Sequence, residues 1–173
     1  ILAALSGLAG SLLSGSEAEQ TLWSPEMLAR AAVVDDFHAR VISAAEAFLG
    51  VPYHYGGSGP GTCATGEHTS CADCSGLVSA AYASAGVRLP HSSEQLLSVG
   101  SGVSRDAALP GDVLVFQAEG NPAAKPNHSG IYVGNGLFIH ACSRGVRLDD
   151  LDGPYWGDPR RPRLRGIRRV ERP

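Results

Sequence analysis

Apolar positions between residues 73 and 86 fall at Cys74, Leu77, Val78, Ala81, Tyr82 and Ala85, steps of three and one that lay a single stripe along a helix. Asp73 is a good N-cap and Gly86 the usual stop, so caps and periodicity predict one helix beginning at Cys74. A thiol in that first turn lies where the positive end of the helix favours a thiolate, which makes Cys74 a candidate reactive cysteine. The plain alternative is a buried cysteine packing beside Leu77. A second stripe, Phe37, Val41, Ala44, Ala45 and Phe48, predicts a helix running to Leu49 and stopping at Gly50. Upstream, Ser24-Pro25-Glu26 has the form of an N-cap, a proline at the first helical position and an acidic first turn.

Later in the chain the period changes to that of strands. Asp112 to Phe116 reads as a short apolar strand after Pro110-Gly111. His128 to Val133 and Leu137 to Cys142 flank Gly134-Asn135-Gly136, a hairpin signal with two possible registers. A two-residue loop would set Ile131 against His140 and turn the two histidines to opposite faces. A three-residue loop, Gly134 to Gly136, puts Ile131, Val133, Leu137, Ile139 and Ala141 on one face and His128, Gly130, Tyr132, Phe138, His140 and Cys142 on the other. The second register buries the cleaner apolar set and is the one predicted. It would leave two imidazoles side by side, against which the cysteine helix could dock, and Cys142 opposite His128. Between helix and hairpin, Ser92 with Gln95 predicts a short helix entry.

Composition bounds the class without choosing the function. The 173 residues are 43% hydrophobic and 18% charged, with a formal net charge of -3, which suits one globular domain and gives no reason to expect nucleic acid. Seven of the fourteen basic residues are arginines between 160 and 172, which with Glu171 leave that tail at +6 against -9 for the rest. A solvated final strand is the expected reading, with a site for an anionic polymer as the sharper one. No hydrophobic run approaches the roughly 20 residues of a membrane helix, since Ser6, Gly7, Gly10 and Ser11 interrupt Ile1 to Leu13. Residues 1–35 are expected to be a helical arm or the remnant of a targeting or linker region, and residues 36–173 the functional domain.

A thiolate nucleophile needs an imidazole to take its proton and a third polar group to orient that imidazole, roles that Cys74, His128 and His140 fit in order. Several ordered segments then carry a resemblance. They are Val51-Pro52-Tyr53-His54-Tyr55-Gly56-Gly57, Asp73-Cys74-Ser75-Gly76-Leu77-Val78, Leu109-Pro110-Gly111-Asp112-Val113-Leu114-Val115-Phe116, His128-Ser129-Gly130-Ile131-Tyr132-Val133-Gly134 and Ile139-His140-Ala141, closed by Pro154-Tyr155-Trp156 and Arg168-Arg169-Val170. Together they resemble the NlpC/p60 family of bacterial cell-wall cysteine peptidases, over about residues 36 to 173.

The resemblance implies an α+β, papain-like fold with helices packed on a central antiparallel sheet. It implies hydrolysis of a peptide or isopeptide bond in peptidoglycan stem peptides, of the D-glutamyl-diamino acid type, by a monomer outside the cytoplasm and without a cofactor. By position, Cys74 would be the nucleophile, His128 the base and His140 its orienting group, while Tyr53, Asp73 and Ser75 would contact the stem peptide.

The segment between Gly57 and Asp73, which also holds His68, is longer than the family's usual connection and adds Cys63 and Cys71. A Cys63 to Cys71 disulfide would pin it over the site, as an extracytoplasmic location allows. Glu119 to Asn127, with Pro122 and Pro126, is expected to form an extended rim. Two alternatives stand beside the peptidase. One is a non-catalytic wall-binding module of the same fold; the other is a zinc site using Cys71, Cys74 and His68, or Cys74, His128, His140 and Cys142.

Overall fold

The computed structural model describes residues 35–63 and 70–172. The helix expected from Ser24, the rest of the N-terminal arm and His68 lie outside the described residues. Among those described, the order is α1 (Asp36–Glu46), β1 (Ser58–Pro60), β2 (Ser70–Ala72), α2 (Cys74–Ser84), α3 (Ser93–Leu96), β3 (Ser101–Val103), β4 (Val113–Phe116), β5 (His128–Gly134), β6 (Leu137–Cys142), β7 (Gly145–Asp150) and β8 (Leu164–Arg169). Six strands form one antiparallel sheet in the order β3-β8-β4-β5-β6-β7, and β1 pairs with β2 separately. This is a papain-like α+β architecture.

The cysteine helix forms as its caps require. Asp73 Oδ1 accepts from the Gly76 N–H at 2.7 Å, and the helix ends one residue before Ala85. Helix α1 is shorter than its stripe suggests and stops at Glu46. Beyond it, Phe48 and Leu49 bond back to Ala45 and Glu46 with the tighter three-residue spacing, so the apolar stripe continues through a turn.

The hairpin adopts the expected pairing in its body, with Ile131 opposite Ile139 and Gly130 opposite His140. The odd residue is absorbed by a bulge, so Gly134 pairs with Leu137 and the turn tightens to Asn135-Gly136. Gly134, Asn135 and Gly136 all have positive φ, at 100°, 55° and 78°, which suits glycine and asparagine and few other residues.

The pleat gives each sheet face its own core. Phe37, Val41, Leu77, Val78, Ala81 and Tyr82 from the helices pack with Val113, Val115, Ile131, Ile139 and Ala141. Leu114, Phe116, Phe138 and Ile167 form the other face beneath Leu151 and Trp156. The cysteine helix therefore docks on the apolar face of the hairpin rather than on the histidine face. Burying the aliphatic set stabilises that choice, at about 25 cal/mol per Å² of apolar surface removed from water.

The arginine-rich end is not a solvated edge, because β8 runs inside the sheet between β3 and β4. Its charges hold neighbouring chain. Arg169 makes a two-pronged contact to the buried Asp112 carboxylate, Arg168 donates to Val99 and Gly100 carbonyls, and Arg165 to those of Asn121, Pro122 and Ala124. The last three bonds fix the rim formed by residues 119–127.

One close approach sets the entrance to α2. A Cβ on Gly76 would fall 2.0 Å from Gly57 O and 2.8 Å from His91 Nε2, so only glycine lets residues 51–57 cross the start of the helix. Gly76→Ala is expected to destabilise the fold by roughly 3 kcal/mol or more, because backbone must move. Chemical denaturation measures this, and a loss below about 1 kcal/mol would mean the crossing segment yields freely.

Candidate active site

Cys74 is 8% exposed at the mouth of α2, where the sheet begins β5. Its Sγ lies 3.5 Å from Ser93 Oγ and 3.9 Å from the carbonyl of Asn127, the residue before His128. Ser93 Oγ in turn donates to Ser129 Oγ at 3.2 Å. No acceptor engages the Cys74 backbone N–H among the described residues, as expected for the first turn of a helix, so this donor is free to meet a ligand oxygen.

The two histidine rings share one face. His128 Nε2 and His140 Nδ1 are 2.8 Å apart, with the rings nearly perpendicular. His140 is 1% exposed, and its Nε2 faces Asp149 Oδ2 at 3.1 Å in a bent contact rather than a linear hydrogen bond. Asp149 is held by Arg147 Nε at 2.8 Å and by the Trp156 indole N–H at 3.0 Å. The Trp156 indole stacks on His128 with centroids 5.2 Å apart and 20° between planes. Because Nε2 of His128 is taken by His140, Nδ1 is the nitrogen left to face other partners. No hydrogen bond joins Cys74 Sγ directly to His128 among the described residues. Contacts between such groups are often long without substrate and tighten when it binds.

Electrostatics keep these rings neutral at rest. Burial, with the adjacent His140 adding to it, depresses the His128 imidazole to about 3. Burial also lowers His140, with Asp149 pulling it upward and Arg147 and Arg144 downward. For Asp149, burial works against the charge but is outweighed by Trp156, His140 and Arg147, so it stays ionised. A neutral imidazole near a thiol is a base in its receptive form.

The other residues singled out by sequence have unequal access. Tyr53 is 39% exposed, and its hydroxyl is raised by burial and then by the nearby Cys74 and Asp73. Asp73 and Ser75 are buried. Besides Gly76, Asp73 accepts from Gly56 N and Ser75 Oγ, and His91 Nε2 lies 2.8 Å from its Oδ1. Burial alone would raise Asp73, but these partners hold it below the ordinary carboxylate range. It ties the 51–57 segment to the helix, leaving Tyr53 as the open member of the three.

Cys63 and Cys71 are joined by a disulfide. That removes Cys71 as a thiolate ligand, and no group of three His, Cys, Asp or Glu placed to hold a metal occurs among the described residues. Cys142 Sγ reaches Gly145 O across its own turn at 3.7 Å, instead of engaging His128.

Sequence reasoning missed Ser93, His91, Asp149 and the placement of Trp156. Ser93 had a local signal, being the first residue inside the helix that Ser92 caps. Asp149 becomes visible only once β7 is paired with β6, which sets it opposite Phe138 and beside His140.

Three comparisons bear on this arrangement. A family model described as the NlpC/P60 family matches residues 50–165. A relative from Mycobacterium tuberculosis named a probable endopeptidase is 39% identical over 125 residues, which cover 70% of this chain and 28% of its own length. A bifunctional muramidase/DL-endopeptidase of Bacillus subtilis is 35% identical over 125 residues, 71% of this chain and 35% of its own. This chain thus spans about a third or less of those curated relatives. The solved structure of RipD from Mycobacterium tuberculosis, described as a non-catalytic NlpC/p60 domain protein adapted to peptidoglycan binding, matches with a TM-score of 0.62 at 27% identity. It covers 80% of this chain and 100% of that one. With the matched region containing Cys74 at the head of its helix and His128 and His140 on the sheet, the chain belongs to the NlpC/P60 family.

Proposed function

We propose that this chain is a cysteine peptidase that cuts a peptide or isopeptide bond in peptidoglycan stem peptides, between D-glutamate and the diamino acid. The observation that carries the reading is the shared end of helix and sheet, where Cys74 Sγ lies 3.9 Å from the carbonyl preceding His128 and His128 is bonded to His140 at 2.8 Å. In this reading Nδ1 of His128 takes the Cys74 proton, and the thiolate attacks the scissile carbonyl. The oxygen that becomes negative is met by the free Cys74 N–H. Collapse expels the amine, which leaves with the proton from His128, and a thioester remains. Water then attacks it, again losing a proton to His128, and the acid departs as the thiol is restored.

Tyr53 contacts the stem peptide, with Asp73 and Ser75 shaping the wall behind it. Residues 36–173 form the peptidase domain, which acts as a monomer without a cofactor. The Cys63–Cys71 disulfide supports a place outside the bacterial cytoplasm, where such bonds persist.

The likeness to RipD favours a second reading, a wall-binding module without activity. Digestion of purified peptidoglycan followed by mass spectrometry of the muropeptides separates the two. Stem peptides split after the second residue, with a new free amine on the diamino acid, are expected. Intact muropeptides together with retention of the protein on sacculi would overturn the peptidase reading.

A further inference from the structure

Resting on the cysteine-peptidase reading, we propose that Asp149 is a positioning residue that fixes the protonation pattern of the histidine pair, so that the nitrogen facing the thiol is the bare one. A carboxylate only accepts, so the charge of Asp149 Oδ2, in its bent approach 3.1 Å from His140 Nε2, favours the proton on that nitrogen over Nδ1. A neutral His140 then has a lone pair on Nδ1. Its partner at 2.8 Å, His128 Nε2, must therefore carry a proton and donate it. That leaves Nδ1 of a neutral His128 without one, ready to receive the thiol proton. The opposite assignment, with a proton on His140 Nδ1, would make His128 Nε2 the acceptor and move its proton to Nδ1, where it could take nothing from Cys74.

The surroundings make Asp149 more than a surface charge. Arg147 holds one carboxylate oxygen, and the Trp156 indole donates to the oxygen that faces His140. The same indole lies flat on His128 and edge-on to His140, so one side chain sets the carboxylate and covers both rings. His140 is sealed at 1% exposure, so water does not replace the carboxylate as acceptor. The charged groups acting on the pair come from several elements. Asp149 and Arg147 lie on β7 and Arg144 on the turn before it, while Cys74 approaches from α2. Of these, Asp149 is the one that favours an imidazolium at rest, and the thiolate adds to it after proton transfer.

The test compares Asp149→Asn and Asp149→Ala with the unaltered protein, using peptidoglycan hydrolysis from pH 5 to 10 and ¹⁵N NMR of the histidine rings. Asn keeps an oxygen for Trp156 and the shape of the site while removing the charge. Removing a negative charge makes the imidazolium easier to deprotonate, so the alkaline limb of kcat/KM is expected to move to lower pH in Asp149→Asn. Asp149→Ala, which frees the proton assignment as well, is expected to lower kcat by about 10- to 100-fold with KM changed less than about twofold. In the unaltered protein the ¹⁵N shifts should report a proton on His140 Nε2, and in Asp149→Ala a mixture of both forms. A proton on His140 Nδ1 in the unaltered protein overturns the proposal, as does an unmoved alkaline limb with unchanged kcat in both variants. If the unaltered protein hydrolyses nothing yet the rings show the expected pattern and its loss, the peptidase reading falls and the role of Asp149 in the pair stands.

Discussion

Cys74→Ala is expected to abolish hydrolysis, lowering kcat/KM by at least about a thousandfold, or roughly 4 kcal/mol of transition-state stabilisation. The neighbouring hydroxyls are committed elsewhere, Ser93 Oγ to Ser129 and Ser75 Oγ to Asp73, so neither stands ready to form the covalent intermediate in place of the sulfur. Folding should survive, since the thiol's polar contacts are long, at 3.5 and 3.9 Å, and the cap bond from Asp73 to Gly76 does not involve it. Losing one sulfur from a small buried site costs about 1 kcal/mol. Cys74→Ser tests the chemistry more narrowly, for it keeps the shape of the side chain and replaces the thiol with a hydroxyl, a far poorer nucleophile. It too should be inactive. Cys142→Ser should retain activity, because the hydrogen bond that thiol makes among the described residues is to Gly145 in its own turn. The measurements are muropeptide release and the thermal midpoint of each variant, alongside binding to sacculi. Hydrolysis by well-folded Cys74→Ala would remove the sulfur from the mechanism.

The parts of this architecture governed by neighbours in sequence were legible before any coordinates. Asp73 and Gly86 bracket the helix because a cap and a stop act within one turn, and its stripe identifies the buried face. Hairpin register was readable for a similar reason, since a one-residue slip would have sent Ile131 and Ile139 into the opposite face. What escaped was governed by pairing between distant segments. The last strand inserts between β3 and β4, so Arg165, Arg168 and Arg169 become pins for loops and a buried aspartate instead of a charged rim. Nothing local to residues 160–172 distinguishes those outcomes. Alternation placed both histidines on one face but could not say what covers it. Trp156 and Asp149 do so from a strand and a loop whose pairing was not anticipated.

His128→Ala should be nearly as damaging as loss of the sulfur, while His140→Asn should leave a measurable enzyme, slower by about 10- to 100-fold. The asymmetry follows from what each ring does. His128 is the base, and alanine leaves the thiol with no acceptor for its proton; it also strips Trp156 of the ring on which it stacks. His140 supplies a lone pair to His128 Nε2 at 2.8 Å. An asparagine oxygen occupies nearly the position of Nδ1 and can accept the same bond, so the base stays oriented with its bare nitrogen outward. The shorter side chain does not extend to Asp149, so the favourable charge acts from farther away and the remaining loss appears in kcat. Iodoacetamide labelling of Cys74 checks this without substrate: the alkylation rate near neutral pH should fall sharply in His128→Ala, where no base takes the thiol proton, and only partly in His140→Asn. Equal damage from both substitutions, in enzymes of unaltered thermal midpoint, would mean that the second ring moves protons itself instead of steering the first.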